Sequence, residues 1–234
     1  MIQNLNNNDK KQLFDNGYLV FEASDDFKKE LLSFKNELDY KSLLYKKYTR
    51  AVAGELCING MKASGDLREL KKLRQSVMKA GHDISQMWYI VADDEKLYQS
   101  SCLVYMNKEL QKTVDFFYQN VKFPGLGGSN YLMYDRGCRF GFHKDGGYVN
   151  VDGVKEANSI CTILIYMDEA SQNSGGEIVI KTNEDELITV PTTLGTCVIL
   201  DLTKNDLWHR VNEVKTDKYF RENLRFTLSD EQRG

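Results

Sequence analysis

The sequence predicts a mainly β protein with N-terminal helices, an α+β chain, and three observations carry that prediction. Apolar residues recur at helical spacing in the first half. From residue 129 onward the texture changes to short β-branched and aromatic runs separated by turns. No Pro/Ser-rich linker, low-complexity block or repeat divides the 234 residues, so a single domain is expected over 1–234. In this reading 1–128 is mostly helical support and 129–230 is the β core.

The elements follow in order. Asp9 to Asn16 reads as a short helix stopped by Gly17, and "GYLVFEA" as the first strand. Ser24 suits the cap of a second helix, with Asp25 and Asp26 in its first turn and Phe27, Leu31, Phe34 and Leu38 on one face. Residues 45–64 show no period and read as a loop or lid. Asp66 and Glu69 form a capping-box pattern ahead of Leu67, Leu70, Leu73 and Val77. A further helix is expected over 104–121, with Leu110, Val114, Phe117 and Val121 on its face, broken by "FPGLGG". Strand-like runs then come as "NYLMY", "SICTILIYM", "GEIVIK", "LITV", "TCVILDL", "LWHRV" and "LRFTLS". That many short strands predict a sandwich or barrel.

Composition narrows the function. Net charge is −3, from 31 basic and 34 acidic residues, which argues against a nucleic-acid binder relying on bulk positive charge. The polar N-terminus lacks an apolar signal region and no stretch approaches a membrane span, so a cytoplasmic location is expected, with no membrane partner. Cys57, Cys102, Cys138, Cys161 and Cys197 lack CxxC spacing, which fits reduced thiols better than zinc or disulfides.

Three histidines occur, His82, His143 and His209. His143 and Asp145 stand two apart, a spacing that puts both on one face of an extended segment. His209 lies in a separate strand-like run. Two histidines and a carboxylate suit the facial triad of a non-haem Fe(II) oxygenase, whose remaining positions stay open to co-substrate and O2. Catalytic zinc favours more His or Cys ligands. A lone His-x-Asp also arises by chance, so the neighbours must decide. His82 has no motif around it and reads as structural or exposed.

The neighbours carry a resemblance. Tyr134, Gly137 and Phe140 precede His143 at spacings of nine, six and three. This Tyr-x-x-Gly-x-x-Phe-x-x-His-x-Asp run resembles the catalytic domain of prolyl 4-hydroxylases, within the 2-oxoglutarate/Fe(II)-dependent dioxygenase superfamily. "CTILIYMDEASQNSGGEIVI", "ITVPTTLGTCVILD", "LWHRVNEV" and "LRFTLS" resemble later segments of that domain, in the same order. "LFDNGYLVFEA" is similar to the opening of many such enzymes, whereas 23–128 resembles nothing identifiable. The resemblance implies a double-stranded β-helix, the jelly roll of cupin-like proteins. It implies Fe(II) on His143, Asp145 and His209, with 2-oxoglutarate and O2 as co-substrates.

A dianionic co-substrate requires a buried cation for its far carboxylate, and arginine's planar fork suits one. Family position leaves Arg221 and Arg225. Arg225 is preferred because it begins "RFTLS", while Arg221 falls in the polar, loop-like "TDKYFREN". Thr227, two residues on, would share that face and support the same carboxylate. Tyr134 and Tyr166 match aromatic positions that the resemblance places near the co-substrate, and Thr162 stands four residues before Tyr166 on the same face. Ordinary strand packing would account for these tyrosines equally simply.

The resemblance implies hydroxylation of an unactivated C–H bond, with succinate and CO2 released. Asp145 favours this over halogenation, for which the resemblance implies a small residue at that position. A free amino acid or natural-product intermediate is preferred as substrate, and a peptidyl proline is the alternative. Arg139 and Lys144 are candidate contacts for an anionic substrate group, and 45–64 and 146–158 are candidate lids. The reading from another class is a binding protein on a jelly-roll scaffold.

Overall fold

The computed structural model describes residues 2–37, 45–52, 61–62, 83–90, 101–123, 129–134, 136–145, 159–168, 174–203, 207–217 and 221–229. Among these residues the helices are α1 (Asn7–Asn16), α2 (Asp25–Glu37) and α3 (Ser101–Phe117). The strands are β1 (Tyr18–Glu22), β2 (Tyr45–Val52), β3 (Met61–Lys62), β4 (Asp83–Ile90), β5 (Ser129–Tyr134) and β6 (Phe140–His143). They continue with β7 (Ser159–Tyr166), β8 (Ile178–Lys181), β9 (Leu187–Val190), β10 (Thr196–Asp201), β11 (Trp208–Val211) and β12 (Arg221–Ser229).

Local chemistry sets the first helix. Asn6 caps α1 reciprocally with Asp9: the Asn8 N–H donates to Asn6 Oδ1 at 2.8 Å and the Asn6 N–H to Asp9 Oδ2 at 2.8 Å. Gly17 ends α1 at φ 80, a left-handed conformation that glycine adopts without steric cost. In α2, Ser24 Oγ accepts from the Phe27 N–H, as its capping position requires.

Two antiparallel sheets form the core. The larger has strand order β1-β10-β7-β12-β5-β4-β2-β3, and the smaller β6-β11-β8-β9. Period-two alternation gives the central strands of the larger sheet two different faces. Ile163, Ile165, Cys197, Ile199, Leu224 and Phe226 join Phe27, Leu31, Leu110 and Val114 in a core against the helices. Leu164, Tyr166, Val198 and Leu200 join Ile178 and Ile180 of the smaller sheet in an inner core. The layers are therefore helices, larger sheet, smaller sheet, and the inner face of β12 looks into the space between the sheets. This is the double-stranded β-helix architecture.

Three expectations are corrected. The loop expected over 45–64 contains β2 and β3, and the largely helical first half also supplies β4. β2 pairs with β4 from Tyr45↔Ile90 to Val52↔Asp83, and this distant partner is invisible to a local period. The helix expected over 104–121 starts earlier and stops at Phe117. Asn120 turns the chain at φ 58, while Val121 and Phe123 still pack into the core off the helix. The helix expected near 66–77, the lid at 146–158, His82 and Cys57 lie outside the described residues. Cys102, Cys138, Cys161 and Cys197 are buried. Among the described residues no helix is long and apolar enough to cross a membrane.

Candidate active site

Strand register brings the two histidines together. β11 pairs antiparallel with β6, and His209 stands directly opposite His143. Their ring centroids lie 4.2 Å apart. Asp145, just beyond β6, turns its carboxylate between them, with His143 Nε2 at 3.6 Å from Oδ1 and His209 Nε2 at 3.7 Å from Oδ2. One ligand atom from each residue falls within 4.8 Å of the others. The spacing of His143 and Asp145 thus projects both to one point, and the sheet adds the third group.

The surroundings orient each group. His143 Nδ1 meets the Gly141 carbonyl at 2.9 Å, and His209 Nδ1 meets the Leu207 carbonyl at 3.4 Å. Nδ1–H donation to these carbonyls leaves both Nε2 lone pairs aimed at Asp145. Burial pushes the His143 pKa down to about 3, with His209 adding to the effect, and burial also lowers that of His209. Both rings are therefore neutral near pH 7. Burial works against the Asp145 charge, but Arg225, the histidines and a hydrogen bond from Thr162 outweigh it and hold the carboxyl below its ordinary range. Thr162 Oγ1 donates to Asp145 Oδ2 at 2.8 Å, and Arg225 NH2 donates to Oδ1 at 3.1 Å. Two neutral imidazole lone pairs facing an ionised carboxylate repel one another unless a cation lies between them. The donor set, two nitrogens and one oxygen, fits Fe(II).

A second cluster lies farther along the same face of β12. Arg221 is 1% exposed. Its NH2 donates to Tyr166 Oη at 2.9 Å and its NH1 to Asn223 Oδ1 at 3.0 Å. Its guanidinium stacks 4.4 Å from the Tyr134 ring centroid and 4.9 Å from that of Tyr166. Desolvation opposes the charge, yet Tyr166, Tyr134 and Asp168 hold the Arg221 pKa above its usual value. Burial pushes the Tyr134 phenol up to about 12 and raises that of Tyr166. Among the described residues, the buried donors Arg221 Nε and Asn223 Nδ2 find no partner. Such orphans are costly, and a carboxylate accepting from them would satisfy both. The donor chemistry fits one end of a dicarboxylate.

The co-substrate residues expected around Arg225 are therefore divided. Arg221 is not in a loop: it opens β12 opposite Tyr134 of β5. Tyr134 and Tyr166 gather on Arg221, while Thr162 and Arg225 gather on Asp145. Thr227 stands opposite Thr162, and its buried hydroxyl has no partner. Asn223 was missed. Polar residues at 221, 223, 225 and 227 against apolar ones at 224, 226 and 228 carry its signal, because that alternation extends the strand back to Arg221. Glycine makes room for the cluster: Gly176 has φ +81, and a Cβ there would lie 3.0 Å from Arg221 Cδ. Of the candidate substrate contacts, Lys144 lies over the Trp208 ring. Of the other charges nearby in sequence, Arg210 lies over the Phe142 ring and Arg136 pairs with exposed Asp217.

Comparison with known proteins agrees with this geometry. Residues 129–228 match a family model described as the 2OG-Fe(II) oxygenase superfamily. No curated protein matches the chain. A prolyl-4-hydroxylase from Pseudomonas putida is similar in structure, with TM-score 0.56 and 12% identity over 95% of this chain and 96% of that one. A prolyl hydroxylase from Trichoplax adhaerens, solved with a hypoxia inducible factor peptide, gives 0.61 and 16% over 97% and 90%. The alpha ketoglutarate dependent carbocyclase SnoK of nogalamycin biosynthesis gives 0.58 and 11% over 97% and 85%. At these identities the structural matches speak for the fold.

Proposed function

For a chain whose residues 129–228 belong to the 2OG-Fe(II) oxygenase superfamily, we propose hydroxylation of an unactivated C–H bond in a small, amino-acid-like or natural-product molecule. The family uses Fe(II), 2-oxoglutarate and O2, and His143, Asp145 and His209 are the residues to hold the iron. The observation that carries the reading is the pairing of two sites on one inner face. A metal-ligand set at Asp145 and a buried, unsatisfied arginine cluster at Arg221 are joined by β7 and β12.

Each residue then has a task. Nδ1–H donation to backbone carbonyls holds both histidines in the ligating tautomer. Thr162 fixes one Asp145 oxygen. Arg221, with Tyr166 and Asn223, receives the far carboxylate of 2-oxoglutarate, and Tyr134 covers the guanidinium. Arg221 suits this better than Arg225, because Arg225 touches a metal ligand itself while the far carboxylate lies a molecule's length away. The apolar walls of Leu164, Ile178, Ile180 and Val198 exclude water, which strengthens these interactions. When bound, iron and 2-oxoglutarate supply O2 activation and the oxidising power, with succinate and CO2 as products.

A second reading, hydroxylation of a peptidyl proline, draws support from the peptide complex of the Trichoplax protein. The first experiment is anaerobic addition of Fe(II) and 2-oxoglutarate to metal-free protein. A visible metal-to-ligand charge-transfer band is expected, and it should vanish in Asp145→Ala. A folded wild-type protein without the band would sink the oxygenase reading and favour a binding protein. Succinate release over a panel of free amino acids and capped prolyl peptides then separates the two substrates.

A further inference from the structure

We propose that Arg225 is the receptor for a carboxylate on the substrate, so that the oxidised C–H bond lies within a few bonds of a free carboxylate group. This rests on the oxygenase reading above and deepens it.

The argument begins with charge. Two cations stand on the inner face of β12, Arg221 and Arg225. With Asp168 protonated, as its burial favours below about pH 7, a divalent metal, ionised Asp145, dianionic 2-oxoglutarate and Arg221 together carry no net charge in the loaded site. Arg225 then adds one positive charge beside the metal. Its side chain is 27% exposed, against 7% for Asp145, so the arginine is partly open to solvent while the carboxylate is nearly sealed. Among the described residues its acidic partner is Asp145, at 3.1 Å, and iron would take a share of that charge. Asp168 interacts electrostatically with Arg221 and Glu222 instead. A part-buried cation next to a metal centre is costly without an anion.

Neighbouring donors define that anion. Thr227 is two residues along the same face, and its buried Oγ1 has no partner. A guanidinium with a neutral hydroxyl alongside matches a carboxylate, which carries one negative charge and two acceptor oxygens. A phosphate dianion would over-neutralise the single arginine. Because Arg225 touches a metal-ligating oxygen, a carboxylate seated on it leaves only nearby carbons within reach of the iron. An internal peptidyl proline has an amide where this carboxylate would be, so the inference favours a free acid.

The test uses the anaerobic protein with Fe(II) and saturating 2-oxoglutarate, which occupies Arg221. Cyclopentanecarboxylate and its isosteric amide, cyclopentanecarboxamide, are added separately. Paramagnetic broadening of their proton NMR signals reports binding near the iron without turnover. The carboxylate should bind at least about tenfold more tightly than the amide, in line with the strength of charge-assisted hydrogen bonds. Arg225→Gln removes a hydrogen bond to Asp145, so Fe(II) is raised until the charge-transfer band is restored. At that metal concentration the preference should be abolished, and Arg225→Lys should retain part of it. Equal binding of the two probes, no binding of either with the band intact, or an unchanged preference in Arg225→Gln would overturn the proposal. Turnover of a capped prolyl peptide but of no free acid would also overturn it, leaving the oxygenase reading standing. Absence of the band from folded wild type would remove both.

Discussion

Arg221 and Arg225 share one strand and one face, four residues apart, yet their surroundings differ in almost every respect. Arg221 is sealed, stacked between two phenols and bonded to neutral groups, with a donor left over. Arg225 is partly open and bonded to ionised Asp145 of the candidate metal site. The difference follows from register. Arg221 lies opposite Tyr134 and beside Tyr166, two large aromatic residues that close the barrel. Arg225 lies opposite Asn130 and Leu164, nearer the end where Asp145 enters. An arginine sealed among neutral partners is preorganised for an anion that must bind every cycle. One open to solvent suits a ligand that changes with the reaction.

The strongest way to break this comparison is Arg221→Gln. Losing a buried charge-assisted contact of about 2–3 kcal/mol weakens 2-oxoglutarate binding by about 100-fold. Titration of the charge-transfer band with 2-oxoglutarate measures it. Equal weakening in Arg225→Gln would erase the distinction between the two arginines. Next in size is Thr162→Val, which removes the 2.8 Å hydrogen bond to Asp145 while conserving shape. Loss of an outer partner of a metal ligand costs about tenfold or more in metal affinity. Competition with a metal-sensitive chelating dye is the measurement, and 2-oxoglutarate affinity at saturating metal should barely change.

A smaller effect sharpens the sealed end. Gly176→Ala puts a side chain on a residue at φ +81 and a methyl group against Arg221 Cδ. The left-handed conformation alone costs about 1–2 kcal/mol. The variant should unfold at lower denaturant concentration and bind 2-oxoglutarate less tightly, with metal affinity retained. Unchanged 2-oxoglutarate affinity would mean that the Arg221 packing is not set by this glycine.

Legibility in the sequence follows the same division. His143 and Asp145 could be read because both ligands sit within three residues, so strand geometry alone aligns them. His209 was found through the order of its neighbours, and the β11–β6 register explains its place. The strands beyond 129 are short β-branched and aromatic runs bounded by turns, and were legible. β2 and β4 were not, since their pairing joins segments far apart and Lys46 and Lys47 blur the alternation of β2. Arg221 was misread for a related reason. Its flanking residues are polar, but Glu222 points to the helix side, where it pairs with Lys35, while Arg221 is paid for by aromatic rings from two other strands. Charged residues buried through tertiary partners look like loop in a local window.

The smallest expected effect concerns buried Asp168, whose charge acts on Arg221 at the sealed end. Burial is the main cause that raises its carboxyl to about 7, Glu222 adds to the rise, and Arg221 opposes it. A folded pKa above the ordinary carboxylate value means that the folded state binds the proton more tightly. The associated stability is full below about pH 4, is lost as pH rises through about 7, and is constant above that. Ionised Asp168 also competes with 2-oxoglutarate for the Arg221 charge. Affinity for 2-oxoglutarate should therefore fall severalfold across neutrality in wild type. Asp168→Asn, which cannot ionise, should bind 2-oxoglutarate with a flatter pH profile and gain stability over wild type mainly on the alkaline side. Denaturant midpoints and charge-transfer titrations on either side of pH 7 give both numbers. A pH profile unchanged by Asp168→Asn would show that Arg221 meets its ligand without interference from Asp168. The sealed end would then be governed by its tyrosines and Asn223 alone.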